Sequence, residues 1–474
     1  MTTTKQIQVS KNELDKVQYL TEVLPEIPTN TILYKKLTGL GATYGEITAK
    51  RNSIIIEPNV PVIIGKCNDP KHKDDNLFGV YEGVYTDDIV NYLEKSKKKY
   101  YKILTTRESI QKVKDAFEEL EMSAHCSCFL LFDECHKLVK DADYRNNITL
   151  PIDDFFKFDQ KALVSATPIE LNDPRFKEQN FKMIEIQPTF DYKKELWLHH
   201  TNNTLQALKT VLSKLDNEEA APLPICVFIN STDIIYSLMK QLDLLEDSAV
   251  FCAPKSVDKL KKNRFCNVYE EWNKDKMKRY NFFTSRFFNA VDMELEEQPH
   301  VIMLTDVYFA EHTMIDPYTD AIQIVGRFRN GVSSITYISN TKKGLPQRSK
   351  EEIKGYLICS KEIYRTMKNF YDCATDRASR DAYRAALESL PFNRMLDRNG
   401  RENWFAIDNY MDEELMKNYF YDENSLYKAY DNCDSFIVYH AGYYCPLGDS
   451  ERLKRENKSQ SIKDKRKEIV LSLI

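Results

Sequence analysis

Two adjacent carboxylates, Asp133 and Glu134, directly follow an apolar run and offer the clearest chemistry in this sequence. The run Phe129–Phe132 predicts a buried strand, so the two acids are expected at the edge of a sheet. Asp133 can hold Mg²⁺, directly or through water, and Glu134 can polarise a water molecule aimed at the γ-phosphate of a nucleotide. The alternative interpretation of such a pair is a strand that ends in a solvated acidic turn.

Three further polar residues are predicted to couple this acidic pair to a second ligand. His136 lies two residues beyond Glu134, and Ser165 and Thr167 belong to a Ser-Ala-Thr segment that ends another predicted strand. Their hydroxyl and imidazole groups can form hydrogen bonds that change with the state of a bound nucleotide. We therefore expect them to relay nucleotide state.

The segment TGLGAT, residues 38 to 43, is predicted to bind phosphate. Gly39 and Gly41 let the backbone curl so that successive N–H groups face an anion, and a short helix follows. Thr38 belongs to the same loop, and the Thr43 hydroxyl is expected to contact Mg²⁺. Ala42 stands where such a loop ordinarily has a lysine. A simple tight turn is the alternative interpretation.

The missing lysine has a direct chemical consequence, because that residue ordinarily reaches the β- and γ-phosphates as a point charge. Its loss is expected to lower the rate of nucleotide hydrolysis by a factor on the order of 10²–10⁴. Lys35 and Lys36, just upstream, are the nearest candidates to replace it. Alternatively, the protein binds nucleotide weakly and acts as a nucleic-acid-binding scaffold.

Short β-rich runs alternate with amphipathic stretches, and this pattern predicts a parallel α/β sheet between residues 29 and 188. The predicted strands are Ser53–Glu57, Val62–Ile64, Tyr101–Thr105, Phe129–Phe132, Ala162–Ser165 and Met183–Ile186. The predicted helices are Thr43–Lys50, Thr86–Glu94, Glu108–Leu120 and Asp153–Phe158. Residues 1–28 are polar and poorly periodic, and are interpreted as a lead-in.

A second alternation of the same kind predicts a second α/β domain over residues 189–341. Its predicted strands are Leu196–His199, Ile225–Ile229, Ala249–Cys252, Asn281–Phe283, Val301–Leu304 and Ile335–Ile338, with helices Asn203–Leu215 and Thr232–Leu242. Residues 342–474 are predicted to form a mainly helical C-terminal region, including Lys361–Tyr371, Ser379–Leu387 and Glu413–Tyr419. The charge-dense tail after Glu451 is either a solvated helix or a contact for nucleic acid or a partner.

Composition narrows the class of protein. At 474 residues the chain is too long for one core. The net charge of −5 implies that any nucleic-acid surface is a local patch. Eleven cysteines, several inside apolar runs, fit a reducing compartment, and the N-terminus has no apolar signal segment. A cytoplasmic protein without a membrane partner is therefore expected.

The cysteines around the acidic pair are predicted to belong to the core. Cys126 and Cys128 share one side of a predicted strand, whereas Cys135 lies past its far end, so they do not fit one zinc site.

Taken together, residues 29–340 resemble the superfamily 2 helicases and translocases of the DEAD/DEAH type. TGLGAT is similar to motif I without its lysine, Asp133–His136 (DECH) to motif II, and Ser165–Thr167 (SAT) to motif III. Gln323–Arg329 (QIVGRFR) resembles motif VI, and the stretch from Thr284 to Asp292 resembles motif V. The resemblance implies two tandem RecA-like domains with ATP and Mg²⁺ bound in the cleft between them.

The resemblance also implies an arginine finger. Arg327 is expected to neutralise charge that develops on the γ-phosphoryl group, with Gln323 beside it sensing phosphate or water. The family places a second arginine where this chain has Asn330. Arg329 is one position early, which on a helix rotates it by roughly 100°. Either the helix ends there, helped by Gly331, or Arg329 serves another purpose.

Nucleic-acid contacts in such proteins run through backbone phosphates at the ends of strands. The positions predicted to make them are Pro58, Thr105, Thr106, Arg107, Asn230, Ser231, Thr284 and Arg286. Small hydroxyl groups and amides at strand ends also suit helix caps, and Ser231 or Thr232 is expected to cap the helix that follows.

The predicted function is an ATP-dependent helicase or translocase that moves on single-stranded nucleic acid, DNA in preference to RNA. A replication or recombination partner is expected to bind the C-terminal region. The first alternative is a pseudo-ATPase that binds nucleic acid or a replication partner. The second is a motor subunit of a nuclease or restriction system, whose nuclease would be another polypeptide.

Overall fold

The computed structural model describes residues 3–13, 15–96, 99–140, 152–167, 170–217, 222–288, 292–397 and 400–453. The chain divides into two compact units. The first unit comprises Met1–Asp191 and Arg348–Leu415, and the second comprises Tyr192–Gln347 and Met416–Ile474.

The first unit is built on an eight-stranded sheet in which every neighbouring pair of strands is parallel. The order across the sheet is β1-β8-β2-β7-β6-β3-β5-β4. The strands are β1 (Thr3–Val9), β2 (Thr31–Tyr34), β3 (Ser53–Glu57), β4 (Leu77–Val80), β5 (Lys102–Thr106), β6 (Phe129–Phe132), β7 (Gln160–Ser165) and β8 (Lys182–Pro188).

Apolar side chains on both faces explain why the central strands are buried. All residues of β3 and β6 are buried, as expected for a parallel sheet covered by helices on both sides. The helices of this part of the chain are α1 (Leu20–Val23), α2 (Ala42–Thr48), α3 (Val60–Asn68), α4 (Thr86–Lys95), α5 (Ile110–Glu119), α6 (Ala124–Ser127), α7 (His136–Lys140), α8 (Ile152–Phe155) and α9 (Pro174–Glu178).

The second unit has its own eight-stranded, all-parallel sheet with the order β12-β11-β13-β10-β14-β15-β9-β16. Its strands are β9 (Lys194–Thr201), β10 (Ile225–Phe228), β11 (Ser248–Phe251), β12 (Val268–Tyr269), β13 (Tyr280–Phe283), β14 (His300–Thr305), β15 (Ser334–Ser339) and β16 (Phe436–Tyr443). Its helices before the C-terminal region are α10 (Thr204–Asp216), α11 (Thr232–Gln241), α12 (Pro254–Lys262) and α13 (Asp320–Gly326). The two sheets fit the predicted tandem RecA-like domains, and the α/β fold class is confirmed.

The C-terminal region contains α14 (Lys350–Cys373), α15 (Arg377–Ser389), α16 (Trp404–Lys417) and α17 (Glu423–Asp431), so its mainly helical character is confirmed. It is not a unit of its own, however. Ile353 and Leu357 of α14 and Phe405 of α16 are part of a core cluster of the first unit. Strand β16 pairs in parallel with β9 over its whole length, from Phe436 opposite Lys194 to Tyr443 opposite Thr201.

Local predictions differ from the structure at several places. Residues 62 to 64 lie in helix α3 and not in a strand, because Asn59 accepts a hydrogen bond from the Val62 N–H (3.1 Å) and a proline occupies the first turn. The predicted lead-in contains edge strand β1, which pairs with β8. Strand β16 was missed because its partner β9 lies more than 200 residues earlier in the chain. The charged tail lies mostly outside the described residues.

Among the residues that the structure describes, no helix combines the length and the apolar character needed to cross a membrane.

Candidate nucleotide-binding site in the first unit

The predicted site residues of the first unit follow five strands that are neighbours in the sheet: β2, β7, β6, β3 and β5. Because these strands are parallel, their carboxyl ends meet at one edge, where ligands of open α/β sheets bind. The segments brought together there are 35–43, 165–167, 133–136, 57–59 and 106–107.

The loop between β2 and α2 has the backbone geometry expected of a glycine-dependent turn. Gly39 and Gly41 have φ values of 78° and 80°, a left-handed conformation that favours glycine. Gly41 is the N-cap of α2, and Thr43 lies in the first turn of that helix. Thr38 and Gly39 stay partly or fully exposed, whereas Ala42 is buried.

The turn after β6 is attached to both neighbouring strands. The Asp133 N–H donates to the Ile56 carbonyl (3.0 Å), and the Cys135 N–H donates to the Val164 carbonyl (2.9 Å). Between them, Glu134 has a φ of 49°, which is uncommon for a residue with a side chain. Strained backbone of this kind is concentrated at functional sites, so Glu134 is a candidate functional residue on conformational grounds as well.

Thr43 and Asp133 meet across the site although they are 90 residues apart in the sequence. The Thr43 hydroxyl donates to Asp133 Oδ2 at 2.5 Å, and Asp133 Oδ1 accepts a hydrogen bond from the Glu134 N–H at 2.9 Å. Both side chains are buried. Mg²⁺ prefers oxygen ligands and usually takes only one or two from the protein, while waters and phosphate oxygens complete its coordination shell. One hydroxyl and one carboxylate fit this requirement.

The two upstream lysines occupy different places. Lys35 Nζ lies 3.7 Å from Asp133 Oδ1 and 3.6 Å from Glu134 Oε1, and its side chain is only 6% exposed. Lys36 Nζ instead contacts Glu185 (3.0 Å) and Gln187 (3.0 Å) on strand β8. Of these two candidates, Lys35 is the one at the acidic pair.

His136, Ser165 and Thr167 form a connected polar network with Glu134. His136 Nδ1 is 3.3 Å from Glu134 Oε2 and 3.2 Å from Ser165 Oγ. Ser165 Oγ is 3.3 Å from Thr167 Oγ1 and accepts a hydrogen bond from the Thr167 N–H at 3.1 Å. The acid that is expected to orient water is thereby linked to the segment that follows β7.

Glu57, at the end of β3, was not predicted as a site residue, although its segment was. Its carboxylate is fully buried and pairs with Lys66 at 2.7 Å. Burial raises the pKa of Glu57 to about 7, opposed by Lys66 and reinforced by the charges of Asp133 and Glu134. The signal that could have found it is a charged residue closing an otherwise apolar strand, Ser-Ile-Ile-Ile-Glu.

The predicted nucleic-acid residues of the first unit are less accessible than expected. Thr105 is fully buried and its hydroxyl donates to the Thr106 carbonyl (3.1 Å), while Thr106 itself is 7% exposed. Arg107 is 3% exposed and its guanidinium donates to the Lys137 carbonyl (3.3 Å). These contacts argue against direct phosphate binding by Thr105 and Arg107. Pro58 is half-buried.

The second unit contains the predicted arginines at the end of helix α13. Arg327 is buried, and its Nη2 donates to Gln323 Oε1 at 2.9 Å. Asp292 contacts both guanidinium groups, at 3.4 Å from Arg327 Nη1 and 2.7 Å from Arg329 Nη2. The helix ends at Gly326 and Phe328 forms a β-bridge with Met293, so the 100° rotation expected for Arg329 on a continued helix does not apply.

Asp292 was noted only as the end of the motif V stretch and was missed as a site residue.

The other predicted positions of the second unit follow strands β10 and β13. Ser231 caps α11 by accepting a hydrogen bond from the Ile234 N–H (3.4 Å), and the Asn230 amide donates to the His312 carbonyl (2.9 Å). Thr284 is buried directly after β13, whereas Arg286 is half-buried. Arg286 is thus the cation of this group that is partly accessible to a polyanion.

No cluster of three or more histidine, cysteine, aspartate or glutamate side chains suited to a metal ion occurs within the described ranges. Cys128 and Cys135 are buried, and burial raises the pKa of each thiol. Cys126 is exposed.

No protein-family profile matches the sequence, and no curated protein does. Solved structures with a similar fold include a variant of the Saccharomyces cerevisiae protein Dbp5 bound to a Gle1 variant and IP6 (14% identity, TM-score 0.43, 69% of this chain and 83% of that chain). They also include S. cerevisiae Dbp5 bound to RNA and ADP BeF3 (12% identity, TM-score 0.39, 82% and 90%). RecG bound to a three-way DNA junction is a third (11% identity, TM-score 0.38, 83% and 48%).

Proposed function

We propose that this protein is an ATP-dependent helicase or translocase of the superfamily 2 type. The observation that carries the proposal is the contact between Thr43 of the glycine loop and Asp133, with Glu134 beside it. A Mg²⁺–nucleotide site requires a hydroxyl from the phosphate-binding loop close to a carboxylate at the end of a strand. A second acid must lie beside that carboxylate.

Each side chain then has one role. Thr43 and Asp133 would hold Mg²⁺, which would supply positive charge to neutralise the phosphate oxygens of ATP. Glu134 orients the attacking water, and His136 keeps the Glu134 carboxylate in place. The loop N–H groups from Thr38 to Thr43 bind phosphate oxygens.

The second unit contributes its arginines in this proposal. Arg327 neutralises charge developing on the γ-phosphoryl group. An arginine finger of this kind raises the rate of phosphoryl transfer by a factor of about 10³–10⁵. Gln323 and Asp292 hold the guanidinium groups, as their contacts with Arg327 indicate. Arg329 shares Asp292 and is the second candidate.

The proposed partner is single-stranded nucleic acid, DNA in preference to RNA, contacted through phosphates at strand ends. Arg286, Asn230 and Pro58 are retained for this role, whereas the buried Thr105, Thr106, Arg107 and Thr284 are not. A replication or recombination partner on the C-terminal region and a cytoplasmic location are part of the same proposal.

Phosphate release from ATP tests the proposal, measured without polymer, with single-stranded DNA and with single-stranded RNA. We expect stimulation by a polymer, and a loss of at least about 10²-fold in Glu134→Gln, because the variant lacks the carboxylate that orients water. The exposed Glu119 offers a matched control, and Glu119→Gln should keep the wild-type rate. Wild-type release at background level with every polymer would contradict hydrolysis.

One observation favours the alternative of a pseudo-ATPase scaffold: Ala42 gives the loop no cation of its own. In that case ATP binding would be measurable by titration while phosphate release stayed at background. The polymer would then bind equally well with and without nucleotide.

A further inference from the structure

The loop of residues 38 to 43 leaves the terminal phosphates of a nucleotide without a positive charge from within the loop. Ala42 is 2% exposed and ends in a methyl group. Two carboxylates, Asp133 and Glu134, already lie at the site, and a triphosphate would add several more negative charges. Like charges a few ångströms apart in a partly dry site repel strongly, so a nearby cation is needed for tight binding.

Lys35 is held in a position to supply that charge. It directly follows β2, where its N–H donates to the Ser165 carbonyl (2.8 Å) and its own carbonyl accepts from the Leu37 N–H (2.6 Å). The backbone is thus attached to the end of β7 on one side and turned into the glycine loop on the other. The side chain is almost fully buried, with Nζ between Asp133 and Glu134.

The distances at Lys35 suit an ammonium group that can exchange partners. At 3.7 and 3.6 Å, its contacts with Asp133 and Glu134 are longer than the 2.7–2.9 Å usual for a charge-assisted hydrogen bond. Attraction between opposite charges acts over several ångströms, so both acids still draw the ammonium group toward them. With a metal ion and water on the carboxylates, the same ammonium group would be available to the phosphates. Lys36 is directed to Glu185 on β8 and does not compete for this role.

We infer that Lys35 takes the place of the loop lysine and binds the terminal phosphates of the nucleotide from the end of the preceding strand. This inference rests on the proposed nucleotide site and adds its missing cation. It predicts selectivity for nucleotides with β- and γ-phosphates, because the ammonium group contacts those phosphates and not the nucleoside.

Equilibrium binding of ATP, ADP and AMP with Mg²⁺ tests the inference. The measurements are made in a Glu134→Gln background, where ATP is not consumed and one of the two carboxylates beside Lys35 is neutral. Lys35→Met keeps the length of the side chain and removes its charge, Lys35→Arg keeps a charge, and Lys36→Met is the matched control.

We expect Lys35→Met to weaken ATP binding by about 10²-fold, as for the loss of a hydrogen bond to a charged group, with AMP affinity unchanged. Lys35→Arg should recover part of the loss, and Lys36→Met should match the background. Lys35→Gln replaces Lys35→Met if the latter does not fold.

A purely structural role for Lys35 makes a different prediction. It would lower the melting temperature of Lys35→Met while leaving the ratio of ATP to AMP affinity as in the background, and that result overturns the inference. Phosphate release by the wild-type protein together with an unchanged ratio would leave the proposed function standing and remove only the role of Lys35. Lys35-dependent ATP binding without phosphate release would support the role of Lys35 and contradict the proposed hydrolysis. Absence of any nucleotide binding overturns both.

Discussion

At the residue scale, burial controls the ionisation of the acids along the carboxyl edge of the first sheet. Glu57 is completely enclosed, and its Oε2 has no hydrogen-bond partner among the described residues. Its single cation, Lys66, does not offset the cost of desolvation, and the neighbouring Asp133 and Glu134 add repulsion. Glu57 therefore holds a proton near neutral pH more readily than an exposed glutamate.

A pH dependence of stability follows from Glu57. Its pKa is about 7 in the folded protein against 4.5 ordinarily, so the folded state binds the proton more tightly than the unfolded state. The contribution to stability is complete below pH 4.5 and is lost as the pH rises through 7, by about 3 kcal/mol. We expect Glu57→Gln to flatten this decline in urea denaturation between pH 5 and 8.

The exposed Glu178 provides the control, and Glu178→Gln should keep the wild-type slope. An equal slope in Glu57→Gln and wild type would show that Glu57 is not the titrating group.

At the element scale, a buried lysine fixes the helix that carries Thr43. Lys102 on β5 donates from Nζ to the carbonyls of Glu46 and Ala49, both at 2.8 Å, and to Ser53 Oγ at 3.1 Å. These carbonyls lie at the C-terminal end of α2, where helical backbone has no partner of its own. The end of α2 opposite the glycine loop is thereby attached to the sheet.

We predict that Lys102→Met destabilises the first unit by about 3 kcal/mol, because it leaves two buried carbonyl groups without donors. Urea denaturation followed by circular dichroism measures the loss. Lys95→Met, at the exposed end of α4, should change stability by less than about 0.5 kcal/mol. If the two variants lose equal stability, the contacts of Lys102 do not hold α2.

At the scale of the whole molecule, the C-terminal region completes both units. Helix α14 and most of α16 supply side chains to the first, while α17 and β16 belong to the second. Asp408 on α16 accepts two hydrogen bonds from Asn172, at 2.7 and 3.1 Å, and so attaches this helix to the segment before α9. The predicted C-terminal region is therefore divided between the two units.

Core substitutions in the two parts should act on different sheets. Phe405 of α16 is 1% exposed in a core of the first unit, and Leu426 of α17 is fully buried in a core of the second. We expect Phe405→Ala, at a cost of about 3–5 kcal/mol, to speed amide hydrogen exchange in β6 and β7. Leu426→Ala should speed exchange in β14 and β15. Faster exchange in the same sheet for both variants would contradict the division.

The sequence by itself determined the α/β class and the meeting of the nucleotide-site segments. Runs of apolar residues such as Phe129–Phe132 predict parallel strands, and parallel strands bring all their carboxyl ends to one edge. For this reason Asp133, Ser165 and the glycine loop had to converge once each strand was recognised. Strand β2 before that loop escaped recognition as a strand, yet the position of the loop was predicted from its glycines.

Only the tertiary structure decided the contacts between segments that are distant in the sequence. The pairing of β16 with β9, the packing of α14 on the first unit and the burial of Arg107 all depend on partners far along the chain. The choice between Lys35 and Lys36 depends on which way a turn directs two adjacent side chains. Local pattern carries no information on such choices, because they follow from the packing of the completed sheet.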